Sequence, residues 1–278
     1  MGAQGSLYRE KALHWPGLYG AVREILGSTA SIFAFGDPLQ GKPSATTFTT
    51  IGDLQATVTW SEAPSAFDTP LDLTDPANWQ GAIPILTMNG SDEEADTPDA
   101  AGWSNSGGDF SVGAWINMTD VTNSRILAKW DTTTASTVRE FIFFFDSSDY
   151  LNLIVYDEAN SAQLGREDQT AFTEGVWVFV VGTFDDSEIA SSDGAIDLYW
   201  NGVVVDDADD EAGAGFADIN DTAEPVALGH SIGSGGTAIG FFNGKMAGGP
   251  LGPFYTRKLL TADEITYLYL MGRHALAL

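Results

Sequence analysis

Residues 176–205 read VWVFVVGTFDDSEIASSDGAIDLYWNGVVV. The opening part is an almost continuous apolar run, the pattern of a strand buried in a sandwich core. After the polar break at SSDG, Ile196, Leu198 and Trp200 fall on one face of a second strand. Asp197, Tyr199 and Asn201 point to the other, because side chains alternate along a strand. Asn201-Gly202 supplies the pair that a tight type I′ turn requires. Val203 to Val205 then return antiparallel. Strand, polar loop, strand, tight turn and strand describe part of a large antiparallel sheet.

Working outward, the same alternation recurs. Strands are predicted at Ile83–Met88, Phe110–Ile116, Ile126–Trp130, Phe141–Phe145 and Leu151–Tyr156, and again at Pro225–Leu228, Phe241–Met246 and Phe254–Tyr255. The FIFFF run at 141–145 is apolar on both faces and belongs in the middle of a sheet. Residues 206–224 are small and acidic and read as a solvated loop. Thr261 with Glu264 three residues later makes a capping box for a final helix, Thr261 to Met271, that Gly272 closes. Many short strands between Gly and Asp turns, with one late helix, imply an all-β two-sheet sandwich.

The first 81 residues differ in character. Pro16 to Gly27 carries a short helical signal, with Leu18, Val22, Ile25 and Leu26 on one face. A helix of that length needs a surface to pack on. Ser31–Phe35 is strand-like, 41–50 is a Gly/Pro/Ser/Thr-rich loop or arm, and Asp53–Trp60 alternates. Residues 61–81 hold Pro64, Pro70 and Pro76 and look like a connector, which places a domain boundary near Gly81.

The chain has 278 residues, 44% of them hydrophobic, and no cysteine. Disulfides and thiol chemistry are therefore excluded. Lys and Arg total 12 against 39 Asp and Glu, a formal charge of -27. Such a surface repels nucleic acid and anionic membranes. No apolar run approaches the roughly 18 residues of a membrane span, and the N-terminus shows no signal-peptide pattern. MGAQGS fits a short myristoylation pattern through Gly2 and Ser6.

Eight pieces in order carry a family resemblance: MNGSDEEADTPD (88–99), GDFSVGAWI (108–116), RILAKWD (125–131), GVWVFVVGTFD (175–185), IDLYWNGVVV (196–205), ALGH (227–230), FFNGKM (241–246) and LLTADEITYLY (259–269). Residues 82–278 resemble the concanavalin A-like jelly rolls of the laminin G type, in the branch found in bacterial and phage proteins. The resemblance implies a two-sheet antiparallel jelly-roll sandwich with a short C-terminal helix, preceded here by an irregular N-terminal extension over 1–81. Members bind glycans or proteins, or serve as adhesion and virion modules. Some bind calcium near the turn that Asn89 to Asp92 resembles, helped by an acidic pair after the FNG-type strand. Here that stretch reads Lys245, Met246, Ala247, Gly248, so the acids are missing. Calcium takes six to eight oxygens; no cofactor is expected, and calcium is the one ion considered.

Glycosidase relatives of this fold carry E-x-D-x-x-E along a central strand. The nearest pattern, Glu94, Asp96 and Asp99, contains Pro98 and reads as an acidic loop. Asp206, Asp207, Asp209, Asp210 and Glu211 read as surface charge. His14, His230 and His274 have no metal-ligand spacing, and no nucleophile elbow is present. No catalytic or metal-ligating residue is therefore assigned. Aromatics stack on sugars, and Trp79, Trp103 and Trp130 sit in or beside predicted loops. Trp103, between Gly102 and the polar run 104–108, is the candidate glycan contact.

The reading adopted from sequence is a non-enzymatic virion structural protein, a capsid decoration or spike-base module exposing the jelly roll at the virion surface. Its partners would be capsid or other virion subunits and further copies of itself, with host surface glycans as a second role. Leu18, Val22, Ile25, Leu26, Ile32, Phe33 and Phe35 would be the assembly anchors, since an arm with little core needs partner contacts to offset its ordering entropy. The alternative is an extracellular glycan-binding lectin or adhesion protein. A glycoside hydrolase or polysaccharide lyase ranks last.

Overall fold

The computed structural model describes residues 15–37, 45–52, 54–103, 106–133, 138–205 and 208–278. The Gly2/Ser6 pattern, His14, Asp206 and Asp207 lie outside them. Two sheets stack as an antiparallel jelly-roll sandwich. The first, ten-stranded, runs Val203–Val204, Ile196–Trp200, Val178–Phe184, Phe110–Asp120, Asn243–Ala247, Ile83–Asn89, Trp79–Gln80. Phe254–Thr256 pairs with the start of Phe110–Asp120 and passes the sheet on to Ser31–Ile32 and Ile51–Gly52. The second, eleven-stranded, runs Ala208–Ala212, Ala162–Asp168, Leu151–Asp157, Val138–Phe145, Arg125–Asp131, Ala227–Leu228, Ala95–Asp96, Thr57–Trp60, Thr47–Thr49, with Ser231–Ile232 joined to the end of Arg125–Asp131 and paired with Ala238–Ile239.

The opening stretch folds as its pattern dictates. Val178–Phe184 pairs with Ile196–Trp200, Val180 opposite Trp200. Asn201 and Gly202 take φ of 52° and 83°, the left-handed pair of a type I′ turn. FIFFF is internal, flanked by strands on both sides.

The inner core lies between the sheets and includes Phe110, Phe141, Phe143, Leu153, Val180 and Phe184. A second core lies on the outer face of the ten-stranded sheet. There the helices Trp15–Leu26 and Ala262–Leu276 cover Trp115, Phe179, Val181 and Phe254.

Residues 15–81, expected as an attachment arm or a small β or irregular region, pack into both cores. Phe33, Phe35, Phe48, Val58, Trp60, Phe67 and Leu71 are part of the inner core. Val22, Leu26 and Ile32 are buried in the outer one, with Leu18 and Ile25 packed against it. The proposed anchors are thus spent inside their own chain. The 41–50 arm likewise contributes a strand, Thr47–Thr49, that pairs with Thr57–Trp60. Cores drawing on both sides of position 81 leave no packing boundary there.

Two further differences have clear causes. The acidic stretch after 206 is not all loop: Ala208–Ala212 pairs with Ala162–Asp168, and Arg166 answers Asp209 at 2.9 Å. The final helix does have its Thr261–Glu264 capping box, but it runs on through Gly272 to Leu276. Gly272 serves close approach instead of termination, since a Cβ there would stand 2.1 Å from Trp115 Nε1. Among the described residues no helix is long and apolar enough to cross a membrane.

Candidate functional site

The two outer faces differ. The long helices cover that of the ten-stranded sheet, whereas neither packs on that of the eleven-stranded sheet. Cross-strand partners share a face, so the register traces one row across it. The row runs Thr47, Thr59, Asp96, Ala227, Ala128, Ile142, Ile154, Gly165. Ala128, Ile142 and Ile154 at its middle are buried, with the half-buried Trp130 and Phe144 packed against them. Trp130 meets Tyr156 edge to face at 5.7 Å. The Arg139 guanidinium lies 3.5 Å from the Tyr156 ring centre and 5.5 Å from that of Trp130. Glu158 fixes it by accepting from Nε at 2.9 Å. Aromatic faces beside a guanidinium and carboxylates form a surface suited to polyhydroxylated ligands.

At one end of the row three ionisable groups converge. Ala95–Asp96 is a strand, so Glu94 and Asp96, two residues apart, look the same way. Gly229 turns the chain after Ala227–Leu228 and brings His230 beside them. His230 Nδ1 is 3.5 Å from Glu94 Oε2, and Nε2 is 3.4 Å from Asp96 Oδ1. His230 is 1% exposed. Burial moves all three away from their charged forms. Glu94 is pushed up to about 7 by desolvation and then by Asp96 and Asp92. Asp96 rises to about 6 through desolvation, and His230 falls to about 4 for the same reason. Nearby Glu224 rises to about 7 through burial and the charges of Asp131 and Asp96.

These shifts set a pH dependence. A carboxyl with a raised folded pKa stabilises most below its unfolded pKa, about 4, and loses that contribution as pH rises through 6–7. His230 opposes this, losing its contribution as pH falls from 6.5 toward 4. Three groups outweigh one, so with chelator present the melting temperature should be higher near pH 5 than near pH 8. Glu224→Gln should flatten that slope. Melting curves for both proteins across that range check it, and an unchanged slope in the variant would count against the assignment.

Beyond this cluster a buried ion pair anchors the same sheet end. Lys129 and Glu140 are both fully buried, with Nζ on Glu140 Oε1. Nζ also donates to the Thr222 carbonyl at 2.9 Å and lies 3.3 Å from Asp99. Glu140 Oε1 accepts from Thr222 N at 2.7 Å. The pair therefore ties the loops carrying Asp99 and Thr222 to the sheet.

The structure redistributes the sequence candidates. Trp103 is 0% exposed, its ring packed against Phe33 and Tyr255, so no sugar can stack on it. The short turn Ala101–Trp103 carries it into the core. Trp79 is also buried and donates to Leu73 O. Trp130 alone of the three lies on the outer face of the eleven-stranded sheet. Asp96 lies on the two-residue strand Ala95–Asp96 with Glu94 just before it, whereas Asp99 is engaged with Lys129. The Asn89–Asp92 turn is closed by its own bonds, with Asn89 Nδ2 donating to Asp92 and Asp68. Glu93 accepts from the Asn89 and Asp68 amides. His274 lies in the last helix, far from the row in the fold's other layer.

This architecture defines a jelly-roll, lectin-type domain. A family model described as Laminin_G_3, concanavalin A-like lectin/glucanases superfamily, matches residues 89–251, and the chain belongs to that family. Among solved structures it is similar to the binding domain of botulinum neurotoxin serotype G, with TM-score 0.50 and 10% identity, covering 88% of this chain and 51% of that one. The binding domain of Paraclostridial Mosquitocidal Protein 1 gives TM-score 0.49 and 10% identity, covering 87% and 52%. The Ruminococcus gnavus sialidase module CBM40 gives 0.44 and 17%, covering 60% and 84%. This chain thus spans about half the length of the first two. A comparison with curated protein sequences finds no match.

Proposed function

We propose that the chain is a non-catalytic glycan-binding module and that its ligand lies across the outer face of the eleven-stranded sheet. The observation that supports this is the outer face of that sheet, on which neither long helix packs and which carries the half-buried Trp130 and Phe144 and the Arg139–Tyr156 pair. Membership of a lectin-type family agrees with it. Aromatic rings supply apolar stacking for sugar C–H groups, while Arg139 and Asp96 offer a donor and an acceptor for hydroxyls. The virion-surface reading depends on residues 1–81 acting as an arm. With Val22, Leu26, Ile32, Phe33 and Phe35 buried in the chain's own cores, that support is withdrawn.

A glycan array probed with the labelled full-length chain tests the proposal. Binding should appear in the micromolar range and weaken at least ~10-fold, about 1.4 kcal/mol, in Trp130→Ala. Arg139→Ala should act alike, with circular dichroism unchanged in both. No bound glycan, or affinity indifferent to both substitutions, would reject this face as the site.

A further inference from the structure

We infer that Glu94, Asp96 and His230 form a binding site for one divalent transition-metal ion of the zinc type. The inference does not rest on glycan binding. Each of the three can present a ligand atom, all within 4.8 Å of one another. Two independent features set the site apart from a patch of surface acid. One is His230: its ring is 1% exposed, yet Nδ1 has no hydrogen-bond partner. The other is Glu94 Oε2, an atom out of contact with solvent and likewise without a partner, 3.5 Å from that nitrogen. A buried polar atom without a partner is destabilising, and here two such atoms face each other. A cation between them satisfies both.

The spacing agrees with this. Two ligands at about 2.0–2.1 Å in a tetrahedral shell stand roughly 3.3–3.4 Å apart. Glu94 Oε2 is 3.5 Å from His230 Nδ1, close to that separation. Rotation of the Asp96 side chain, whose ligand atom lies within 4.8 Å of the other two, completes a three-ligand set on the Nδ1 side and leaves a fourth position for water or for a ligand hydroxyl. The donor set also chooses among ions. Calcium prefers an all-oxygen shell of six or more ligands, whereas imidazole with carboxylates suits zinc and its first-row neighbours.

The test uses the full chain stripped with chelator. Calorimetric titration with zinc chloride at neutral pH should show one equivalent bound with micromolar or tighter affinity, and calcium chloride should not compete. Cobalt(II) should give the visible bands of a low-coordinate site. Asp96→Asn and Glu94→Gln, both at partly exposed positions, should each weaken zinc at least ~10-fold while leaving the apo melting cooperative. In NMR spectra zinc should shift the ring signals of one of the three histidines, and the same signals should be absent in His230→Asn. Several weak equivalents indifferent to both carboxylate variants, calcium binding as tightly as zinc, or no binding would each overturn the inference.

Discussion

Lys129→Met should lower the melting temperature by on the order of 10 °C. Removing one partner of a buried ion pair costs about 3–5 kcal/mol, and 1 kcal/mol moves a domain of this size by roughly 2–4 °C. The loss arises because Glu140 stays behind, fully buried. Its burial already holds its pKa above the ordinary range against the pull of Lys129 and the Thr222 hydrogen bonds. Lys129→Met combined with Glu140→Leu should recover most of the loss, because no charge is then stranded. Chemical denaturation of the four proteins of this cycle supplies the coupling energy. If the two single losses simply add in the double variant, the pair does not act as a unit.

Deleting residues 1–81 should abolish cooperative folding. Phe33, Phe35, Phe48, Val58, Trp60, Phe67 and Leu71 leave the inner core with that segment. At about 1.5–3 kcal/mol for each buried side chain, their removal forfeits about 10–20 kcal/mol. That rivals the whole stability of a typical domain, about 5–15 kcal/mol. The eleven-stranded sheet also loses Thr47–Thr49 and Thr57–Trp60, baring Ala95–Asp96 as an edge. Near-ultraviolet circular dichroism and a melting curve of the 82–278 fragment decide the matter. A sharp transition close to that of the full chain would restore the segment as an appendage.

What could be read from sequence follows from where each signal resides. Val178–Phe184 and Ile196–Trp200 announce themselves through apolar periodicity, and Asn201-Gly202 through backbone chemistry, both local properties. Ser31–Ile32 and Thr47–Thr49 are two and three residues long, and their worth lies in distant partners. Ser31 pairs with Tyr255, which no local window contains. Trp103 misled for a related reason: small polar neighbours mark a loop but do not say whether it turns outward. Ala208–Ala212 was hidden by its acids, which suit an edge strand answered by Arg166. The metal cluster had one visible clue, the i, i+2 spacing of Glu94 and Asp96, which shares a face only on a strand. Pro98 argued against that strand, and His230 lies more than a hundred positions along the chain.

The pairing of Ser31–Ile32 with Phe254–Thr256 also bears on how the chain is made. Thr256 Oγ1 donates to Leu26 O, Lys258 Nζ to Ile25 O, and Gln80 Nε2 to Leu276 O. The first hundred residues therefore leave the ribosome before the strands and helix that will cover them exist. At about 5–20 residues per second, Phe33, Phe35 and Trp60 stay uncovered for many seconds during synthesis. Such long-range closure also slows the final folding step. Yield in a cell should thus depend on chaperones that hold the emerging segment until the C-terminal helix arrives.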